Sequence, residues 1–406
     1  MKPIALIGTY DTKGTELEYV RGIIEAQGCP VFPIDTGTNK PCKHATITAK
    51  EIAEAAGADI EALRAEKDRG KSVSTMSDGI GQVVRELHDA GKIGGVLSLG
   101  GSAGTAIGTA AMRALPVGVP KVMVSTMASG DVSPYVGTKD VLMMYSIVDV
   151  AGLNRVSRKV FRNAAGASCG MVRANEDLPP EPDRPVVAAT MFGVTTPCVT
   201  RAREVLEEAG FEVLVFHATG SGGRAMESLI EDGEIDGVLD ITTTEWCDEL
   251  VGGVLSAGPN RLEAAARKGI PQVVSLGALD MVNFGPRNTV PVHFEGRNFY
   301  IHNPSVTLMR TTQEEMAELG KIVANKISFA SGPAAVFVPR KGVSAIDVEG
   351  GPFWDPEADK ACFSALKNSL AGFVELYDRA NHINDAEFAE AMAHRLIEML
   401  EEEKRS

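Results

Sequence analysis

The chain runs twice through one cadence: a short apolar run, a Gly/Thr loop, a helical stretch stopped by glycine, and a second apolar run. Gly8, Gly28 and Asp35 mark it first, and Gly193, Gly210 and His217 mark it again, 185 residues later at the first glycine and 182 at the other two. Glycine-bounded β-like runs alternating with helices indicate βαβ units, and these need a parallel sheet covered by helices. The repetition reads either as a duplication or as two doubly wound domains that share an opening by architecture alone. Both readings give an α/β fold in two domains. A ligand cleft is expected between them, at the C-terminal ends of the strands, the edge on which open α/β sheets bind ligands.

In the first half, strands are expected at Ile4–Gly8, Val31–Asp35, 95–99 and Lys121–Ser125. Helices are expected at 15–27, 49–57 with a continuation through 66, 80–90 and about 104–114, and 141–163 reads as one long helix. Residues 175–184, NEDLPPEPDR, carry three prolines, which neither continue a helix nor donate to a central ladder. They are the expected linker between domains at 1–180 and 181–406. The second half restarts with strands at Val186–Met191, 213–216, 237–241 and 272–275, and helices at 198–209, 224–232 and 245–268, the last broken near Gly258-Pro259. A closing amphipathic helix over 385–403 places Phe388, Met392, Leu396 and Met399 on one face.

Composition removes several functions. The net charge is −14, from 40 Lys+Arg against 54 Asp+Glu. Residues 1–182 balance at 20 and 20, and residues 183–406 hold 20 basic and 34 acidic side chains. Nucleic acid binding through a broad cationic face is therefore not expected. No apolar run approaches the ~18 residues of a membrane span, and MKPIALIGTYDTKG is too short in its apolar part for a signal peptide. The six cysteines form no CxxC or His-spaced cluster. Reduced thiols in a cytoplasmic protein are expected, with no metal site built from His or Cys.

The chemistry is expected in loops that follow strands. Gly8-Thr9-Tyr10-Asp11-Thr12-Lys13-Gly14 opens a helix, where backbone amides and the helix dipole favour an anion. Lys13 adds charge for phosphate oxygens, Thr9 and Thr12 add hydroxyls, and Asp11 can reach Mg²⁺ through water. The loop matches neither the Walker A nor the GxGxxG pattern, so a plain capped turn is the competing reading. Gly100-Gly101-Ser102-Ala103-Gly104-Thr105 carries the stronger signal: three glycines and two hydroxyls make a nest of amides suited to a di- or triphosphate. Small residues beyond it (Ala106, Gly108, Ala110, Ala111) let the helix lie close to the sheet. Asp35-Thr36 and Ser125-Thr126 end neighbouring strands, and an acid at position 35 suits ribose hydroxyls.

The second half offers Thr195 and Thr196, then Gly222, Gly223 and Arg224 for a second anionic group. His217 and Glu245, each at a strand end, are the candidate acid/base pair, with capping or structural hydrogen bonding as the competing role. His293 and His302 are nine residues apart in a strand-like run and are not expected to share a metal. Arg155 and Arg158 lie three apart on a helix and suit a solvated or salt-bridged face.

GTYDTKG, GGSAGT, STMASGDVSPYVG, MFGVTTPCV, FHATGSGGRAMESL, DITTTEWCDELVGG and HNPSVTLMRTT together resemble the family of the tomato mosaic virus resistance protein, in its N-terminal ATP-binding region. That region also exists as stand-alone microbial proteins. The resemblance runs from residue 4 to about 360 and implies two Rossmann-like doubly wound domains, ATP with Mg²⁺ in the first, and assembly as homodimers or larger homo-oligomers. It places the nucleotide contacts at Gly8, Thr9, Asp11, Thr12, Lys13, Thr36, Gly100, Gly101, Ser102, Gly104 and Thr105, with Ser125 and Thr126 behind them. The plant relatives carry a further C-terminal barrel-type domain that this sequence does not contain, so no antiviral role is expected of it. The expectation is an ATP-using enzyme acting on a small anionic substrate; the alternative is a binding or regulatory protein whose closure or assembly ATP controls without turnover.

Overall fold

The computed structural model describes residues 1–42, 44–177 and 184–405. Contacts divide the chain into two compact units, Met1–Glu181 and Pro182–Ser406. Most of the proline-rich stretch read as a linker, residues 178–183, lies outside the described residues.

The first unit is built on β1 (Ile4–Gly8), β2 (Val31–Asp35), β3 (Gly95–Gly100), β4 (Lys121–Ser125) and β5 (Leu142–Tyr145), all parallel, in the order β2-β1-β3-β4-β5. Every residue of β1, β3 and β4 is buried, so these strands read as apolar runs rather than alternating ones. Alternation decides only which face each side chain enters. Ala5, Ile7, Val96 and Met123 pack with Ile52, Met76, Ile80, Ile107 and Met112. Ile4, Leu6, Leu97, Val122 and Val124 pack with Leu17, Val20, Ile24, Phe161 and Val172 on the other face. Burial of each large aliphatic side chain contributes roughly 1.5–3 kcal/mol. The first helix, Tyr10–Ala26, buries Leu17, Val20 and Ile24 at helical spacing and stops where Gly28 takes φ +77°.

The second unit repeats the winding. Its strands are β6 (Val186–Met191), β7 (Glu212–His217), β8 (Gly237–Thr242), β9 (Gln272–Gly277), β10 (Met281–Phe284), β11 (Phe299–Asn303), β12 (Val306–Arg310), β13 (Ala334–Pro339) and β14 (Glu375–Arg379). The parallel sheet runs β14-β13-β9-β8-β6-β7, the first unit's order with one strand more. β10, β12 and β11 form a separate antiparallel sheet inserted after β9. Buried Arg310 at the end of β12 meets Asp359 at 2.7 Å and Asp347 at 3.8 Å, and Asp280 accepts from Ser344 Oγ at 2.8 Å close by. The closing helix, Ala386–Arg405, buries Phe388, Met392, Leu396 and Met399 completely.

Some expectations need correction. Residues 141–163 are not one helix: Leu142–Tyr145 pairs with β4 as an edge strand, and the helix is Arg155–Asp177. The stretch 49–66 is two helices, Ala49–Ala55 and Ile60–Glu66, because Asp59 starts a new one by capping Glu61 N. The helix expected at 80–90 begins eleven residues earlier, at Arg69. Between Glu245 and Lys268 there are two short helices, Glu245–Val251 and Ala264–Lys268. Among the described residues, no helix is long and apolar enough to cross a membrane.

Candidate functional site

In the first unit the connections leave β1 and β3 in opposite directions, and the crevice at such a switch point is where doubly wound sheets bind ligands. A cavity of about 950 Å³ lies there, lined by the ends of β1, β2, β3 and β4 and by the segment 63–73.

Its first wall follows β1. A Cβ on Gly8 would lie 2.8 Å from Leu17 Cδ1, so glycine lets the helix sit directly over the strand end. Tyr10 N donates to Asp35 Oδ1 at 3.1 Å and Gly37 N donates to the same oxygen at 2.8 Å. Asp35 is 1% exposed, and burial raises its pKa against those two hydrogen bonds. Asp11 Oδ2 accepts from Asn39 N at 2.8 Å, an approach open only because Gly37 has no side chain: a Cβ there would lie 2.5 Å from the Asp11 carboxylate. Among the described residues, Asp11 Oδ1 is buried without a hydrogen-bond partner. Thr9 and Thr12 share a hydroxyl contact of 2.8 Å, and Lys13 departs from helical geometry at φ −124°.

The second wall is the glycine loop after β3. A Cβ on Gly100 would come within 2.8 Å of Gly104 Cα, so only glycine permits this fold of the loop. Gly101 is the N-cap of helix Ser102–Arg113 and has no side chain to close it. The amides of Ser102, Ala103 and Gly104 find no acceptor among the described residues. Further along, Gly108 lies where a Cβ would be 2.5 Å from Ser98 Oγ, which draws the helix onto β3 and fixes its N-terminus at the cavity.

Of the residues expected at a nucleotide, Thr9, Asp11, Thr12, Lys13, Thr36, Gly100, Gly101, Ser102, Gly104 and Thr126 line this one cavity. Gly8, Thr105 and Ser125 do not. Gly8 lies under Leu17, while Thr105 Oγ1 donates to Gly101 O at 2.8 Å and meets Ser125 Oγ at 2.7 Å, both side chains fully buried. They hold the loop from behind instead of meeting a ligand. Asp35 likewise supports the β1 loop from inside. Thr38, at the end of the Asp35-Thr36-Gly37-Thr38 stretch, lines the cavity too; sequence reading missed Asn39, Arg64, Lys67, Arg69 and Asp149, which also line it. The available signal was three cations within six residues, RAEKDR, at a junction between helices.

The second unit's loops are arranged otherwise. Glu245 is 1% exposed; its Oε1 accepts from Gly220 N at 2.6 Å and Gly223 N at 3.1 Å, and its Oε2 from Arg261 Nε at 2.7 Å. Arg261, itself 1% exposed, also binds Asp240 and Glu227, and burial raises the pKa of Glu227. Glu245 therefore has no oxygen free for proton transfer, which corrects its assignment as an acid/base. The glycine stretch 220–223 does receive an anionic group, but that group is the chain's own Glu245. A Cβ on Gly223 would strike its carboxylate and one on Gly222 the carbonyl of His217. Thr195 is fully buried, bonded to Phe192 and Thr242, and Thr196 donates to Gly193 O at 3.1 Å. The amide of Cys198 is taken by Asn384 Oδ1 at 3.3 Å. Arg224, exposed, donates to Ser256 O, and exposed His217 stands edge-on to Phe192 with ring centres 5.7 Å apart.

The chain belongs to the uncharacterised protein family UPF0261: the family's N-terminal domain matches residues 2–177 and its C-terminal domain residues 184–400. A UPF0261 protein of Clostridium tetani (strain Massachusetts / E88) is 54% identical over 404 residues, covering 98% of this chain and 99% of its own. One from Rhizobium meliloti (strain 1021) is 48% identical over 397 residues, 96% of this chain and 97% of that one. The ToMV resistance protein Tm-1(GCR237) of Solanum lycopersicum is 41% identical over 419 residues, which is 97% of this chain and 55% of the tomato protein. Among solved structures, the Streptomyces sp. SF2575 glycosyltransferase SsfS6, complexed with thymidine diphosphate, matches at 13% identity and a TM-score of 0.20 over 98% of this chain and 99% of that one. That likeness is too loose to bear on chemistry.

Proposed function

We propose that the first unit binds ATP with Mg²⁺ and that the chain is a cytoplasmic enzyme using this nucleotide on a small anionic substrate. The observation that carries the reading is the open N-terminus of helix Ser102–Arg113, set in a three-glycine loop on a cavity that Lys13 also lines. Three amides and a helix dipole aimed at one point favour a phosphate group. The Oδ1 of Asp11, without a hydrogen-bond partner among the described residues, suits a hydrated Mg²⁺ beside those phosphates. When bound, the nucleotide would supply a transferable phosphoryl group; the chain's part is to hold its charge and orient it. Assembly as a homodimer or larger homo-oligomer is part of the same proposal.

Titration calorimetry with Mg-ATP tests the site. Saturable binding that weakens in Lys13→Ala and Ser102→Ala is expected, and unchanged affinity in both removes the phosphates from this loop.

A second reading, ATP as a regulatory ligand without turnover, gains weight from Glu245, which the fold keeps for itself. ADP release over hours, measured across carboxylates and sugar phosphates, separates the two.

A further inference from the structure

The cavity has a third wall that the two glycine loops do not account for. Arg64 lies in the last turn of helix Ile60–Glu66, Arg69 opens helix Arg69–Asp89, and Lys67 stands between them in the left-handed region at φ +53°. All three line the cavity. Arg64 is held in place, its Nε donating to Thr38 O at 3.0 Å and its Nη1 meeting Glu61 at 2.5 Å. Lys67 and Arg69 make no hydrogen bond or ion pair among the described residues, and both are exposed to the cavity side of the fold. Of the flanking acids, Glu66 pairs with Lys71 at 2.7 Å, and Asp68, which also lines the cavity, accepts from Lys71 N at 3.0 Å. The left-handed Lys67 is the C-cap of helix Ile60–Glu66, which turns the chain directly into the next helix. The cavity, of about 950 Å³, is wide enough for this wall and the glycine loop to be two parts of one lining.

We propose that Arg64, Lys67 and Arg69 form a seat for a second small ligand, a compact dianion of the phosphate or dicarboxylate class, bound next to the nucleotide; its role as co-substrate rests on the ATP reading above. Arg69 offers a planar fork for two oxygens of one anion, and Lys67 adds a point charge. A phosphate group and a dicarboxylate share that demand for concentrated negative charge, so both sources are tried.

The full chain, saturated with a non-hydrolysable ATP analogue and Mg²⁺, is titrated with inorganic phosphate and separately with succinate, at constant ionic strength against chloride. At least one dianion is expected to bind and raise the melting temperature beyond the chloride control. In Lys67→Gln/Arg69→Gln its affinity should fall about tenfold or more while the analogue's affinity moves less than about threefold. Lys67→Arg should retain it. The proposal is overturned if neither dianion acts beyond chloride. It is equally overturned if the double variant loses nucleotide affinity as fully as Lys13→Ala, because the wall then belongs to the nucleotide. If the analogue itself does not bind, the ATP reading falls separately. Titration of the unliganded chain then decides the wall: dianion binding lost in the double variant supports it, and binding that persists there sinks it.

Discussion

Glu245 Oε1 lies 2.6 Å from the amide nitrogen of Gly220, so the anion-seeking end of the second unit's glycine loop is satisfied from within. Glu245 itself follows β8, the second unit's counterpart of β3, and in the first unit that same place is taken by the Gly101–Gly104 loop, whose amides at 102–104 meet no acceptor among the described residues.

Replacing that carboxylate should damage the fold and spare the nucleotide site. Glu245→Ala leaves fully buried Arg261 short of one of its charge partners and the Gly220 and Gly223 amides without an acceptor. A loss of about 3–5 kcal/mol in the second unit's stability is expected, as for other broken buried pairs. Denaturant unfolding measures it, and Mg-ATP calorimetry on the folded fraction should give wild-type affinity.

The two leading glycines of the open loop should behave differently. At Gly100 a methyl group would meet the Gly104 backbone at 2.8 Å, so Gly100→Ala should lower stability by about 1–3 kcal/mol through overpacking. At Gly101 the nearest atom is Thr126 Oγ1 at 3.8 Å, so Gly101→Ala should fold normally. It should nonetheless weaken ATP, because the methyl group stands where the phosphates approach the backbone. Equal ATP affinity in Gly101→Ala and wild type would count against that approach.

Stability should decline from mildly acidic to mildly alkaline pH. Burial, followed by repulsion from Asp347, pushes Asp280 up to about 7 and Asp359 up to about 8; burial also raises Asp347. These groups hold protons more tightly in the folded chain than in the unfolded one. Their contribution is complete below the unfolded value near 4 and is lost as pH rises through 7 to 8, at up to ~1.4 kcal/mol per pH unit for each proton released. Melting temperatures at pH 6 and 8.5 should show the drop, and Asp359→Asn should flatten it. An unchanged slope in that variant would remove the cluster as its source.

Lys67→Gly should raise stability. A left-handed residue with a Cβ costs roughly 1–2 kcal/mol, offset by the 0.5–1 kcal/mol that glycine loses in backbone freedom. A net gain of about 0.5–1 kcal/mol by denaturant unfolding is expected.

The strands and their loops were legible because glycine and buried apolar runs are local signals; β1, β3 and β4 and the loops at Gly8 and Gly100 follow from them directly. The helix Arg69–Asp89 was legible only in its second half. Its first half, RGKSVSTMSDG, is polar and carries glycines of low helix propensity, yet Gly79 is required there: a Cβ would lie 2.0 Å from Ile52 O on the neighbouring helix. Packing chose the residue, and propensity could not report it. Glu245 looked like an acid/base because its partners are remote in sequence, Arg261 sixteen residues on and Gly220 twenty-five residues back. Thr105 and Ser125 were read as ligand contacts for the same reason: their mutual hydrogen bond spans twenty residues.

Three helices begin at the first unit's cavity, at Tyr10, Arg69 and Ser102. Asp35 answers the first and Asp68 the second, leaving the third open. The cavity therefore has a polarity. At Ser102 an anion finds unpaired helix amides, whereas at Tyr10 and Arg69 a carboxylate already takes one of the helix's first amides. On the proposed reading, a phosphate at Ser102 would fix one end of a nucleotide, and the rest of the lining would decide where its other end lies.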